Sequence, residues 1–476
     1  MKKVLLIGDG AREHALADAL MRSNEGYRVF AISSYRNPGI DEVVRATGGE
    51  YYFGNINSRE VIRKVINLVN PDFGVIGPEE PLFHGISDEF RENGIPVVGP
   101  SSKCAMIEKS KVWMRELMWK YKIPGRLRFK AFISIEDAIS FIIQKSGSIV
   151  IKPAEQAGGK GVKVIADIQR YLSNEKKSAA VKSLKEISSL AKGEYKILVE
   201  EKVDGIEYTL HILTDGKSFL ALPLAQDYKH AYSEGIGPET GGMGSISGPG
   251  YLLPFINEEE HRKTVEIITM TIQAIQRETN EKYIGIIGGQ MMLTDLWGPT
   301  LIEFYARMGD PETSAILPRI IEDYGRILEL TATGHINKGK LEIKEDISVV
   351  RAIAPLGYPI DRQMASNKEI YIDINKLKEE GCYIYFGSVA LEGMKLITKG
   401  SRALEIGVVS RNYPSAIEKL DKCIKYINSN TVLIYRTDIG RDIEKMINKS
   451  QIIRYSYLKR IENGTLGSSE EWYEYV

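Results

Sequence analysis

Along the first hundred positions, short unbroken apolar runs alternate with stretches in which apolar residues recur at helical spacing. KKVLLIG is a run of strand length. It breaks into GDG and continues as AREHALADALM, where Ala15, Leu16, Ala19 and Leu20 share one helical face. YRVFAIS, FGVIGPE and IPVVGPS repeat the strand pattern, each separated by a helix-like segment, so the order βαβαβ predicts a parallel, doubly wound sheet. Downstream, SIVIKPAEQAGGKGVKVIA reads as strand, glycine-rich loop and strand, and KSAAVKSLKEISSLAKG as an amphipathic helix. ILVEEKV is a buried-strand run, EYTLHIL alternates, and IGIIGGQMMLTDLWGPTLIEFYA predicts a hairpin. Short strands follow at EISVVRAIAPL, CYIYFGSVAL, MKLITKG and ALEIGVVS, and the stretch from 441 looks helical and mildly basic.

A chain of 476 residues suggests about three domains. A content of 43% hydrophobic and 26% charged residues fits a water-soluble globular protein, and a formal net charge of +0 points to neither nucleic acid nor an anionic membrane. Cys104, Cys382 and Cys423 are too widely spaced for a disulfide framework or a zinc pattern, which suits a reducing compartment. The opening apolar run is too short for a signal peptide, and no apolar segment is long enough to span a bilayer. A cytoplasmic protein is expected.

Candidate chemistry gathers at strand ends. Gly8-x-Gly10-x-x-Glu13 lacks the third glycine of a dinucleotide fingerprint, and AISSYRNPG offers no ribose-binding acid, which argues against a nicotinamide cofactor. The turn can still present backbone N–H groups to a phosphate. Glu79, between two prolines at the end of another strand, is placed as a substrate contact. Lys160 follows a glycine pair but precedes a strand, so this is not a Walker A loop. A hairpin tip with one lysine, and Lys152 on its preceding strand, can nevertheless close over phosphates. Gln290 and Glu303 fall on partner strands of the predicted hairpin, and with phosphate oxygens they make a Mg²⁺ environment.

In this order, GDGAREHAL, GPEEPL, VVGPSSKCAMIEKSK, KPAEQAGGKGV, VEEKVDGIE, QDYKHAY, GPETGGMG and EFYARMGDPET resemble the phosphoribosylamine–glycine ligases of the ATP-grasp superfamily, and the resemblance runs through VVRAIAPLGYP and KGSRALEIGVV. It implies an α/β chain: an N-terminal doubly wound parallel domain to 103, an ATP-grasp core over 104–341 with a small lid at 126–196, a C-terminal β-rich domain over 342–440 and a helical tail over 441–476. It also implies ligation of glycine to 5-phosphoribosylamine through glycyl phosphate, with ATP as co-substrate and Mg²⁺ or Mn²⁺ as cofactor, by a monomer or small homo-oligomer.

The resemblance also implies roles. Lys111, Lys152 and Lys160 would hold phosphates, with Gly159 and Gly161 beside them. Glu200, Glu201 and Val203 would frame the adenine and Glu207 would take the ribose. Gln290 and Glu303 occupy the metal positions. Asp227 would hold the glycine amino group and Arg307 its carboxylate. Gly10, Arg12, Glu13 and Glu79 would face the phosphoribosylamine, with Lys229, Thr240, Gly241, Gly242, Asp310 and Glu312 completing the substrate contacts. Arg307, Asp227 and Lys160 would be the catalytic set. Tyr305 stands where the family has a metal-binding asparagine, Glu239 where asparagine is usual, and Met308 where phenylalanine is. Two alternatives stay open: a sister ligase acting on another amine or amino acid, and a nucleotide-binding paralogue without ligase activity.

Overall fold

The computed structural model describes residues 1–144, 148–156, 161–165 and 177–467. In the first lobe, five strands form an all-parallel sheet in the order Tyr51–Phe53, Arg28–Ser33, Lys3–Ile7, Phe73–Ile76, Val97–Val98. Val4, Leu5, Leu6 and Ile7 are fully buried on both faces of the sheet, which is why the run is continuous rather than alternating. Each such side chain contributes roughly 1.5–3 kcal/mol. The strand order reverses between Lys3–Ile7 and Phe73–Ile76, so Gly8–Gly10 and Gly77–Glu79 emerge side by side at the crevice. The edge strand Tyr51–Phe53 escapes the apolar pattern because it is three residues long and largely uncovered.

A small lobe carries a second sheet, ordered Phe129–Phe132, Ile197–Glu201, Ile149–Pro153, Lys163–Ile165. Its core includes Phe132, Phe141, Ile149, Ile151, Leu184, Ile187 and Val199. The anticipated hairpin is present, with Ile149 opposite Ile165 in antiparallel register. Its tip, with Gly159 and Lys160, lies outside the described residues.

The largest sheet joins the central and C-terminal parts. Gly298–Tyr305, Gly285–Thr294, Gly205–Thr214, Ala225–Asp227 and Gly244–Ser247 continue without a break into Ile347–Pro355, Leu404–Ser410 and Cys382–Phe386. The C-terminal strands therefore extend the central sheet instead of forming a wholly separate layer. CYIYFGSVAL divides into Cys382–Phe386, in the large sheet, and Val389–Glu392, in a four-stranded sheet with Lys395–Lys399, Ser366–Ile372 and Ile427–Ser429. A 20-residue helix, Ile443–Glu462, follows.

The cysteine expectation needs correction. Cys382 and Cys423 form a disulfide, because strand Cys382–Phe386 packs on helix Tyr413–Cys423 despite 41 residues of separation, while Cys104 is free and buried. Among the described residues, no helix is long and apolar enough to cross a membrane.

Candidate active site

A cleft of about 490 Å³ opens where the three sheets meet. Its phosphate-ready end is built by two lysines. Lys111 begins helix Lys111–Lys120, and its Nζ donates to Glu155 O at 2.7 Å. Burial, together with the Lys152 ammonium, pulls Lys111 down to about 8. Lys152 lies on strand Ile149–Pro153, and its Nζ is 2.8 Å from Glu200 Oε2. Glu200 Oε1 accepts from Arg115 Nε at 2.6 Å. Burial would raise the Glu200 carboxyl, but Arg115 and Lys152 outweigh it and hold it at about 2. Gly161 stands where the chain returns toward strand Lys163–Ile165.

Beyond Lys152 the walls turn apolar, with Met114, Leu127, Val150, Met292 and Phe304, while Glu201, Lys202, Val203 and Asp204 form one edge. A slot with apolar faces and a backbone edge suits a flat heteroaromatic base.

An acidic cluster surrounds Lys229. Its Nζ lies 3.4 Å from Glu207 Oε2 and 3.7 Å from Glu303 Oε1. Burial lowers this ammonium, but Glu207, Tyr305, Asp227 and Glu303 push it well above the ordinary lysine value. Burial would raise the Glu303 carboxyl, but Lys229, Lys111 and Lys152 hold it at about 2, so it is ionised. Asp227 is raised, by burial and by Glu207 and Glu303. Glu312 is pushed to about 7 by burial and Asp227. The ionised Glu303 carboxylate beside paired lysines fits a hard divalent cation that would take its other ligands from phosphate and water. No group of three or more His, Cys, Asp or Glu side chains that could hold a metal ion is found among the described residues.

Gln290 and Glu303 lie on partner strands, as anticipated, and the register sets them directly opposite each other. Gln290 is nevertheless fully buried behind the cleft. Its Oε1 accepts from Thr209 Oγ1 at 2.9 Å and Tyr305 Oη at 3.3 Å, and its Nε2 donates to Glu207 Oε2 at 2.8 Å. It thus orients Glu207 from behind, and as placed its oxygen is already engaged.

Also lining the cleft, Arg307 is gripped by Glu79 Oε2 at 3.2 Å and Glu108 Oε1 at 3.1 Å, with its guanidinium 4.6 Å from the centre of the Tyr305 ring. Burial would raise Glu79, but Arg307 and Arg12 bring it below the usual carboxylate value. Glu108 is instead raised to about 7, by burial and by Glu79. Arg12 donates to Glu13 Oε1 at 2.6 Å and to Met308 O at 3.2 Å.

The glycine-rich turn after Lys229 sits against the GDPET loop. Thr240 and Gly241 line the cleft, whereas Gly242 lies behind them. At φ +105° a side chain on Gly242 would be strained, and its Cβ would lie 2.5 Å from Pro311. Arg402 crosses from the C-terminal strands: Nη2 is 2.9 Å from Asp310 Oδ1, and Nη1 donates to Gly242 O at 2.8 Å and to Asp310 O at 3.0 Å.

Most anticipated residues therefore meet in one cleft: Arg12, Glu79, Lys111, Lys152, Glu200, Glu201, Val203, Glu207, Asp227, Lys229, Thr240, Gly241, Glu303, Arg307, Asp310 and Glu312. Gly10, Glu13, Gly161, Gly242 and Gln290 do not line it, and Gly159 and Lys160 lie outside the described residues. Glu13, expected as a substrate contact, is buried, and its carboxylate caps its own helix by accepting from Gly10 N at 2.6 Å and pairs with Arg12. Sequence reasoning missed Glu108, Arg402 and His211. His211, whose Nε2 accepts from Gly309 N at 2.8 Å, is held near 3 by burial and the nearby Arg307 and Arg12, so it stays neutral and fixes the loop. The available signals were the glutamate in IEKSK and the arginine in KGSRALE, each inside a segment already marked by the resemblance.

Family models for phosphoribosylglycinamide synthetase match nearly the whole chain: the N domain at residues 2–108, the ATP-grasp (A) domain at 109–313 and the C domain at 348–442. The phosphoribosylamine–glycine ligase of Methanopyrus kandleri is 38% identical over 458 residues, covering 95% of this chain and 100% of that protein. That of Pyrococcus furiosus is 36% identical over 456 residues, covering 95% and 98%. The crystal structure of phosphoribosylamine–glycine ligase from Thermotoga maritima superposes with a TM-score of 0.73 at 27% identity, covering 92% of this chain and 99% of that one. With its N, ATP-grasp and C domains matched in order along the chain, the chain belongs to the phosphoribosylglycinamide synthetase family.

Proposed function

We propose that the protein is an ATP-dependent carbon–nitrogen ligase that joins glycine to 5-phosphoribosylamine, giving glycinamide ribonucleotide, ADP and phosphate. The observation that carries this is the set of groups lining one cleft: the lysine pair Lys111 and Lys152, Arg307 held by Glu79 and Glu108, and the Asp227–Lys229–Glu303 cluster.

A carboxylate is a poor electrophile, so its oxygen must first take the γ-phosphoryl group, after which the amine attacks the carbonyl carbon and phosphate leaves. Lys111 and Lys152 would hold the phosphates, Glu201 and Val203 the base and Glu207 the ribose. Arg307 presents a planar fork suited to the glycine carboxylate, and Asp227 an acceptor for its ammonium group. Glu303 would hold Mg²⁺ or Mn²⁺, which supplies charge neutralisation between the β- and γ-phosphates. Arg12 and Glu79 face the space left for the ribosylamine. Glu108 and Glu312, both lining the cleft and lifted to about 7, would be the carboxylates available to take the proton released as the amine becomes an amide.

The test is ADP formation in the presence of Mg²⁺, with and without glycine and freshly made phosphoribosylamine, with the product identified by mass. ADP release requiring both substrates is expected. ADP release with a different amino acid or amine, and none with this pair, would replace the reading by a sister ligase.

A further inference from the structure

The helix Ile443–Glu462 begins just after the C-domain match ends at residue 442, yet it runs back along the central sheet. Lys449 Nζ donates to Gly205 O at 2.6 Å, at the start of the strand that bears Glu207. Arg454 donates to both oxygens of Glu260, at 2.7 and 2.8 Å, and Arg460 reaches Asp295 at 3.2 Å. The chain then turns through Thr465–Gly467 and meets the small lobe at its root.

That meeting is closely built. Gly467 N donates to Leu296 O at 2.9 Å, and Gly467 O accepts from Arg128 Nη2 at 2.5 Å. Gly467 has φ +67° and lies flat on the Trp297 ring, where a Cβ would come within 2.2 Å of the indole. Arg128 and Trp297 converge on one carboxylate: Glu201 Oε1 accepts from Arg128 N at 2.8 Å and from Trp297 Nε1 at 3.2 Å. Arg128 and Glu201 are both buried. Arg128 stands just before strand Phe129–Phe132, by which the chain enters the small lobe, and Glu201 ends strand Ile197–Glu201, by which it leaves. Leu127 and Glu201 both line the apolar end of the cleft.

We infer that the turn Thr465–Gly467 is a strap that positions the nucleoside end of the cleft, acting through Arg128 and Trp297 on Glu201. This rests on the reading of that end as the site for the base. Among the described residues, the strap's contacts run to Leu296, Trp297 and Arg128 and not to Lys111 or Lys152, so it governs the nucleoside and leaves the phosphates alone. Arg128, Trp297 and Gly467 are positioning residues, since none of them lines the cleft.

The test compares two probes by calorimetry with Mg²⁺ present, ADP and inorganic pyrophosphate, on the full chain and on Gly467→Val, Trp297→Phe, Arg128→Ala and Arg128→Lys. Thermal melts run alongside to register any structural loss. Gly467→Val and Arg128→Ala should weaken ADP about tenfold, equivalent to ~1.4 kcal/mol, with pyrophosphate unchanged. Trp297→Phe keeps a ring but removes the N–H, and should weaken ADP by less. Arg128→Lys should recover part of the loss. If every variant binds ADP as the parent does, or ADP and pyrophosphate weaken together, the strap is overturned. If the unsubstituted protein binds pyrophosphate but gains nothing from the adenosine of ADP, both the strap and the reading of that end as a base site fall.

Discussion

The phenol of Tyr305 lies 3.1 Å from Glu303 Oε1 and 3.3 Å from Gln290 Oε1, and shares one proton between them. Residues two apart on a strand face the same side, so Tyr305 and Glu303 reach the cleft together. Burial and the Glu303 charge raise the phenol well above its ordinary value, so it remains a donor. It therefore steers the carboxylate proposed to meet the cation. Tyr305→Phe should leave kcat at saturating Mg²⁺ nearly unchanged and weaken apparent Mg²⁺ affinity about 10-fold, in the range for loss of a ligand's supporting hydrogen bond. Glu303→Gln should lose activity that excess Mg²⁺ does not restore. A Mg²⁺ titration of both variants is the measurement. An unchanged Mg²⁺ midpoint in Tyr305→Phe would show that the hydroxyl does not orient Glu303.

Arg307 is held from two sides by carboxylates, so its fork is aimed before substrate arrives. Arg307→Lys keeps the charge but not the planar pair of donors. The glycine KM should rise by about 10- to 100-fold, matching the loss of roughly 1.5–3 kcal/mol for a charged hydrogen bond, while the KM for ATP changes little. Steady-state kinetics with each substrate varied in turn separate the two. Equal damage to both would place Arg307 on the phosphates.

The lowered Lys111 sets a pH dependence. Burial pulls it to about 8, so the free enzyme loses this positive charge as pH rises through about 8. The kcat/KM for ATP reports ionisations of the free enzyme and should fall above that pH. Lys111→Arg keeps a charge that does not titrate in this range, so the alkaline limb should move upward or vanish. A limb unchanged in Lys111→Arg belongs to another group.

How much of this is legible in the sequence depends on how locally each feature is encoded. The strand Lys3–Ile7, the Gln290–Glu303 pairing and the glycine-rich turn after Lys229 are readable because an apolar run, a hairpin and a turn each write their signal within a few neighbours. Tyr51–Phe53 is too short and too exposed to carry a pattern. Glu108 is unreadable for a different reason: its partner Arg307 is about two hundred positions away, and only the folded sheet brings them to 3.1 Å. The helix from Ile443 is legible as a helix, but its attachment to Arg128 through Gly467 is not, because a backbone carbonyl has no letter in the sequence.

Arg402 tests whether the C-terminal strands take part in the chemistry or only support it. Its guanidinium joins Gly242 O, Asp310 O and the Asp310 carboxylate, tying the glycine-rich turn to the GDPET loop. Burial would raise Asp310, but Arg402 brings its carboxyl below the ordinary value. Neighbouring Glu405 is pushed well above its own, by burial and by Asp310. Because the folded Asp310 value is depressed, the stabilisation from this pair is present above the unfolded aspartate pKa of ~3.9 and is lost as pH falls through the folded value. Arg402→Ala should thus cost about 1–3 kcal/mol at neutral pH, with part of that penalty disappearing below about pH 4. Arg402→Gln retains donors for the carbonyls without the charge, so it should recover the loop contacts but not the pH-dependent part. Thermal melts of the three proteins across pH measure the charge component. If Arg402→Gln matches the parent at every pH, the ion pair contributes nothing and the arginine acts only as a donor to the two loops. If kcat falls in Arg402→Gln while its melting curve is restored, the Asp310 charge state matters to the reaction itself, and the C-terminal strands supply a working part of the cleft.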